Sequence, residues 1–120
     1  MTDRRRAEQS GRRAEWFALL MLRLKGFRLL EARFRCPQGE IDLIVRRGRT
    51  VAFVEVKRRS EAATAAAAIS PQQQRRIVAA AQVFLQRNPD LATGDQRFDA
   101  VLVAPGRWPV HMPNAFRSDG

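Results

Sequence analysis

The chain of 120 residues contains only one cysteine, Cys36, and one histidine, His111. These counts exclude an internal disulfide framework and a zinc site built from several cysteines or histidines. No hydrophobic run approaches the roughly 20 residues that a membrane span requires, and the longest, residues 16–22, is not followed by a signal-peptide cleavage site. We therefore expect a cytoplasmic protein that does not interact with membranes.

Acidic residues are also scarce relative to basic ones. Lys and Arg total 22, Asp and Glu total 12, and the formal net charge is +10. Residues 1–60 carry most of the excess, with 16 basic and 7 acidic side chains. Such an excess attracts phosphate backbones over a long range, so nucleic acid is the expected partner. The alternative is an arginine-rich genome, because only Lys25 and Lys57 among the basic residues are lysines.

Two helices are predicted from composition and capping residues. Residues 12–25 contain no proline, glycine or β-branched residue, and Gly26 is placed to end that helix. Ser70 is a good N-cap with Pro71 at the first helical position, and the helix they begin should end near residue 87. The alanine-rich segment 62–68 is compatible with a helix or with a loop.

Aliphatic runs between turn residues predict the strands. Their expected ranges are 27–35, 40–46, 51–58 and 98–104, with a short edge strand at 110–112. Helices that cover such a sheet place the chain in the α/β or α+β class. We expect a basic flexible tail at residues 1–10, a single domain at 11–117 and a second tail at 118–120.

Charged residues inside the apolar strands indicate a site. A four-residue turn at 47–50 would place Asp42 directly opposite Glu55 on one face of the sheet, and a two-residue turn at 47–48 would make them diagonal neighbours on that face. Opposed carboxylates repel each other, and Mg²⁺ or Mn²⁺ between them would remove the repulsion. Lys57 projects from the same face and could hold an attacking water. The alternative is a salt cluster in which Lys57 neutralises both carboxylates.

Asp42 followed by Glu55-x-Lys57 resembles the signature of the PD-(D/E)XK nucleases. More specifically, the chain resembles the YraN family of bacterial proteins, whose reaction is not established and whose fold is related to that of Holliday junction resolvases. The segments that carry this resemblance are 11–12, 35–36, 39–44, 53–57, 71–76, 97–99 and 114–116. Ala14, Arg33 and Gln73 stand where family members often have Gly, Asn and Lys, which affects the expected substrate contacts more than metal binding.

The resemblance implies an α/β fold with a restriction-endonuclease-like core in the order α-β-β-β-α-β. It also implies a metal-dependent endonuclease that acts on structured or branched DNA rather than RNA, and it is compatible with a homodimer. Asp42 and Glu55 would be the Mg²⁺ or Mn²⁺ ligands and Lys57 the catalytic lysine. Two alternatives stay open: a nuclease-like protein that binds nucleic acid without cleaving it, and a basic structural protein that binds no divalent cation.

Several further residues are candidates for supporting roles. Glu15 lies on an apolar sector of the first helix and is either an additional catalytic acid or the partner of Arg12. Gln74 either faces the site or forms a hydrogen bond with the backbone. Glu40 either supports the metal ligands without binding the metal itself or is solvated. Trp108 could stack on a base, although packing is more common for a tryptophan beside proline. The arginines expected to contact nucleic acid are Arg12, Arg13, Arg58, Arg75 and Arg76.

Overall fold

The computed structural model describes residues 2–58 and 69–118, and for residues 2–10 it describes the backbone alone. The elements are α1 (Thr2–Leu24), β1 (Arg28–Cys36), β2 (Gly39–Arg47), β3 (Thr50–Arg58), α2 (Pro71–Arg87), a short 3₁₀ helix (Pro89–Thr93), β4 (Asp95–Val103) and β5 (Val110–Phe116). The predicted order is confirmed, and the final strand is longer than expected. The alanine-rich segment 62–68 lies outside the described residues.

The five strands form one mixed sheet in the order β1-β2-β3-β4-β5. All neighbours are antiparallel except β3 and β4, which run parallel. A parallel pair needs a crossover connection, and α2 lies within the segment that joins these two strands. The carboxyl ends of β3 and β4 therefore meet at the same edge of the sheet, where Arg58 pairs with Val103.

The two helices cover opposite faces of the sheet. Ala52 and Val54 of β3 pack in one core cluster with Ala18 and Leu22 of α1. Val51 and Phe53 pack in the other cluster, which contains Ile77 and Phe84 of α2. Because side chains alternate along a strand, the odd-numbered residues of β3 face α2 and the even-numbered residues face α1.

The predicted helix ends are close to the observed ones, except at the start of α1. Gly26, with φ of +95°, ends α1, and the Phe27 N–H donates to the Leu22 carbonyl at 2.9 Å. Ser70 caps α2 by accepting from the Gln73 N–H at 3.1 Å. The helix α1 begins at Thr2 rather than near residue 12, since residues 2–10 contain no proline or glycine. No helix in the described ranges is long and apolar enough to cross a membrane.

A buried polar network joins β4 to β5 on the α1 side. Asp99 is fully buried and accepts two bonds of 2.9 Å from the Arg97 guanidinium and one of 3.1 Å from the Asn114 N–H. The His111 Nε2 lies 2.8 Å from Asp99. Burial raises the pKa of Asp99, but the hydrogen bonds from His111, Arg97 and Asn114 outweigh burial and hold this pKa below its ordinary value. His111, which had no predicted role, thus helps to hold the edge strand.

Candidate functional site

The hairpin of β2 and β3 has the predicted register, with Arg46 opposite Val51. Its turn is shorter than the predicted four residues because Arg47 also pairs with Thr50, which leaves Gly48 and Arg49 in the loop. Gly48, with φ of +61°, supplies the left-handed residue that a two-residue hairpin needs.

The Cα pairing of this hairpin ends at Leu43–Val54, one step before the predicted opposition of Asp42 and Glu55. The Asp42 side chain continues the contact between the strands, because its Oδ2 accepts from the Val56 N–H at 2.8 Å. This bond gives a structural reason for an aspartate inside an apolar strand, and it holds one carboxylate oxygen in place.

The carboxyl group of Asp42 lies close enough to that of Glu55 to shift its protonation. Glu55 is 7% exposed. Burial, followed by the hydrogen bond and the charge of Asp42, raises the pKa of Glu55 from 4.5 to about 9, although Lys57 opposes the shift. Near neutral pH Glu55 therefore holds a proton, which relieves the repulsion expected from the sequence.

Gln73 is a member of the site that the sequence analysis did not select. Its Nε2 donates to Glu55 Oε2 at 2.7 Å. The neighbouring Gln74 instead donates to the Ile69 carbonyl at 2.9 Å, which is the backbone-bonded alternative. Successive helix residues differ by about 100° in direction, so only one of the two can face the carboxylates. The sequence could have indicated Gln73, because this residue shares a helix face with Arg76 and Ile77.

An open cleft of about 430 Å³ contains this carboxyl pair, and we call it the acidic cleft. Its lining residues are Glu40, Asp42, Glu55, Ser70, Gln72, Gln73, Arg76 and Ile77. The beginning of β2 touches α2 beside the cleft, because a Cβ atom on Gly39 would lie 2.6 Å from the Arg76 carbonyl oxygen. Only glycine allows this approach without a shift of the helix.

Lys57 lies on the α2 face with Glu55 and is partly buried. Within residues 11–58 and 69–118, whose side chains the structure describes, it forms no hydrogen bond or ion pair, although its charge lowers the pKa of Glu55. The salt-cluster alternative requires an ion pair between Lys57 and the carboxylates, and the described part of the chain has none.

The other predicted acids are not part of this pair. Glu15 accepts from Arg33 Nε at 2.9 Å and does not line the acidic cleft. Its partner is thus Arg33 rather than Arg12, and Arg33 is one of the departures from the family pattern. Glu40 lines the acidic cleft but is exposed and lies 3.4 Å from Arg35. No group of three or more His, Cys, Asp or Glu side chains arranged to hold a metal occurs among the described residues.

The predicted nucleic-acid-binding arginines are distributed over three surfaces. Arg76 lines the acidic cleft, and Arg75 lines a cleft of about 450 Å³ on another side of α2. Arg13 and Arg58 line a further cleft against α1, and Arg12 is exposed. Only Arg76 therefore contacts the same cleft as the carboxyl pair.

The raised pKa of Glu55 predicts a pH dependence of stability. The folded chain holds a proton that the unfolded chain releases above pH 4.5, so this contribution is complete below pH 4.5 and is lost as the pH rises towards about 9. We expect the wild type to lose up to about 5 kcal/mol more unfolding free energy than Glu55→Gln between pH 5 and pH 9. Urea denaturation in EDTA measures this difference.

The matched control is Glu40→Gln, which changes an exposed acid of the same cleft. It should follow the wild type at both pH values. Parallel stability curves for wild type and Glu55→Gln would mean that Glu55 is ionised in the folded protein.

The family comparison agrees with the motif. The model of Uncharacterised protein family UPF0102 matches residues 14–103. The chain belongs to this family. A UPF0102 protein of Methylorubrum extorquens (strain PA1) is 54% identical over 118 residues, which are 98% of this chain and 92% of that protein. A UPF0102 protein of Chelativorans sp. (strain BNC1) is 53% identical over 114 residues, which are 95% of this chain and 92% of that protein. The resemblance to the YraN family, which is UPF0102, is thereby confirmed.

Among solved structures, the fold is similar to that of Archaeoglobus fulgidus Hjc, a Holliday junction resolvase from an archaeal hyperthermophile. The match covers 84% of this chain and 73% of that chain, with a TM-score of 0.55 and 21% sequence identity. At this identity the match concerns the fold, and it confirms the predicted α/β, restriction-endonuclease-like architecture.

Proposed function

We propose that this UPF0102 protein is a metal-dependent endonuclease that hydrolyses phosphodiester bonds in structured or branched DNA. The observation that carries the proposal is the carboxyl pair of half-buried Asp42 and buried Glu55, which opens into a cleft, with Lys57 on the same face of β3 as Glu55. The fold shared with a Holliday junction resolvase supports the same class of reaction.

The donor chemistry of the pair fits a hard divalent cation. Asp42 and Glu55 offer only oxygen atoms, and Mg²⁺ commonly binds one or two carboxylates and completes its shell with water and substrate phosphates. Oδ2 of Asp42 is held by the Val56 N–H and Oε2 of Glu55 by Gln73, which leaves one oxygen on each carboxyl group, and a cation there would replace the proton of Glu55. When bound there, Mg²⁺ or Mn²⁺ would supply Lewis-acid polarisation of a phosphate oxygen.

The remaining residues of the site have roles that follow from their charge and position. The Lys57 ammonium, which has no ion-pair partner among the described residues, orients the attacking water and offsets charge that develops on the phosphate. The Arg76 guanidinium, which lines the acidic cleft, binds a phosphate oxygen of the substrate strand. Gln73 keeps Glu55 in place through their 2.7 Å hydrogen bond.

A second candidate is a nuclease-like protein that binds DNA without cleaving it. The observation that favours it is the position of Glu15, whose carboxylate is paired with Arg33 rather than joined to Asp42 and Glu55. The net charge of +10 serves both candidates equally, because each requires attraction to phosphates.

A cleavage screen separates these two candidates. We expect Mg²⁺- or Mn²⁺-dependent cuts in flap or four-way-junction DNA, and none in EDTA or with Glu55→Ala, because this variant lacks half of the carboxyl pair. Linear duplex and RNA are the comparison substrates. Binding of junction DNA without cleavage under any metal condition would favour the second candidate.

A further inference from the structure

A second cleft opens on the α1 face of the sheet and has a volume of about 660 Å³. We call it the aromatic cleft. It lies between α1, the end of β3 and the connection 103–109 that leads from β4 towards β5. The residues that define it here are Arg13 and Phe17 of α1, Arg58 of β3, and Arg107 and Trp108 of the connection.

Two aromatic side chains of this cleft are open to solvent. Trp108 is 57% exposed and Phe17 is 44% exposed. Of the two alternatives for Trp108, packing inside the protein therefore does not apply. Pro109 and Ala14, which also line the cleft, are buried. Aromatic rings left open beside apolar lining are typical of a binding surface.

The charge of the aromatic cleft selects an anionic occupant. Among the residues whose side chains the structure describes, its lining includes Arg13, Arg58 and Arg107 and no acidic residue. A second copy of this chain would bring another net charge of +10, which these groups would repel. Arginines beside open aromatic rings match a nucleotide, because a base stacks on the rings and its phosphates meet the guanidinium groups.

The aromatic cleft lies at the same end of the sheet as the candidate active site. Lys57 and Arg58 are consecutive at the end of β3, and alternation along the strand sends Lys57 to the α2 face and Arg58 to the α1 face. A nucleic-acid strand that passes this end of β3 can therefore meet both faces of the sheet.

We propose that the aromatic cleft binds an unpaired nucleotide of a single-stranded DNA segment, with its base against Trp108 and Phe17. The inference deepens the proposed function and rests on it, since it identifies the unpaired part of a branched substrate as the element that is recognised. Base pairs in continuous duplex keep their faces stacked on each other and cannot offer them to Trp108.

The test is binding of fluorescently labelled oligothymidylate in EDTA, measured by anisotropy, so that no cleavage contributes. We expect Trp108→Ala to bind the single strand about tenfold to hundredfold more weakly than the wild type. Affinity for a duplex of the same length should change by less than about twofold, because stacked pairs do not use the ring. Phe17→Ala should act in the same direction.

The matched control is Leu24→Ala, which removes another exposed apolar side chain of α1, at 71% exposure and outside the aromatic cleft. It should bind both ligands as the wild type does, and melting temperatures should show that all variants are folded. Equal single-strand binding by wild type and Trp108→Ala overturns the inference. Equal weakening for single strand and duplex also overturns it, since the ring would then not read unpaired bases.

Other occupants would produce different results. A wild-type dimer in sedimentation that Trp108→Ala dissociates would identify the aromatic cleft as a contact between copies and overturn the inference. Trp108-dependent binding of single strands without metal-dependent cleavage would support the inference and contradict the nuclease proposal. Equal cleavage of flap DNA by wild type and Trp108→Ala, together with equal binding of single strands, would contradict the inference and support the nuclease proposal.

Discussion

Replacement of Lys57 by alanine is expected to lower the rate of DNA cleavage by at least about a hundredfold, with metal and DNA binding retained. Lys57 shares a strand face with Glu55 and forms no ion pair in the described part of the chain. We therefore assign its interaction to the transition state, where loss of a group lowers the rate rather than the affinity. Single-turnover cleavage of a junction or flap substrate, with binding measured in Ca²⁺, separates the two quantities.

Lys57→Arg should also be inactive, although it keeps the positive charge. A guanidinium group is planar, larger than an ammonium group and effectively never deprotonated, so it cannot take the position of a compact donor beside an attacking water. Arg28→Lys is a suitable control, because it exchanges the same two residue types at an exposed position of β1 outside both clefts. Wild-type cleavage by Lys57→Arg would refute a specific role for the lysine. A large drop in melting temperature for Lys57→Ala would support the salt-cluster alternative.

Asp42→Asn is expected to weaken Mn²⁺ binding by at least about tenfold in isothermal calorimetry. The variant removes one of the two charges that would hold the cation, and a neutral amide is a weaker ligand for a hard metal. The fold should persist, because the amide oxygen of asparagine can still accept the Val56 N–H that Oδ2 of Asp42 accepts at 2.8 Å. Removal of the charge should also lower the pKa of Glu55, because the Asp42 charge is one of the causes that raise it.

Glu15→Gln provides the comparison for this experiment. The family resemblance makes Glu15 an additional acid of the site, whereas the structure pairs it with Arg33 away from the acidic cleft. Mn²⁺ affinity should therefore be unchanged in Glu15→Gln. Equal affinity of wild type and Asp42→Asn would eliminate the site at Asp42 and Glu55, and a loss in Glu15→Gln alone would move the site to α1.

The sequence predicted the features that depend on neighbours along the chain. Gly26 ends α1 and Ser70 begins α2 because capping requires only local backbone geometry. The register of β2 and β3 followed from their turn and their alternating apolar residues, and the observed pairing follows it from Arg47–Thr50 to Leu43–Val54. The motif that places the chain in UPF0102 lies in the same two strands.

Which of two neighbouring helix residues faces the site depends on how α2 packs on the sheet. Gln73 and Gln74 have identical side chains, and the packing of α2, whose Arg76 carbonyl lies against Gly39, places Gln73 at Glu55. Likewise, Arg33 lies 18 residues from Glu15 along the chain and meets it through the packing of β1 against α1. Contacts of this kind depend on distances across the fold, which no local pattern contains.

The sequence by itself thus determined the element order, the family and the placement of Glu55 and Lys57 on one face of β3. Only the tertiary structure decided that Glu55 is buried against Asp42, with its pKa raised to about 9, and that the ring of Trp108 is open beside Arg107. Burial and exposure depend on which surfaces meet when the helices close over the sheet. Desolvation and stacking both follow from that closure, and neither can be derived from the type of a residue alone.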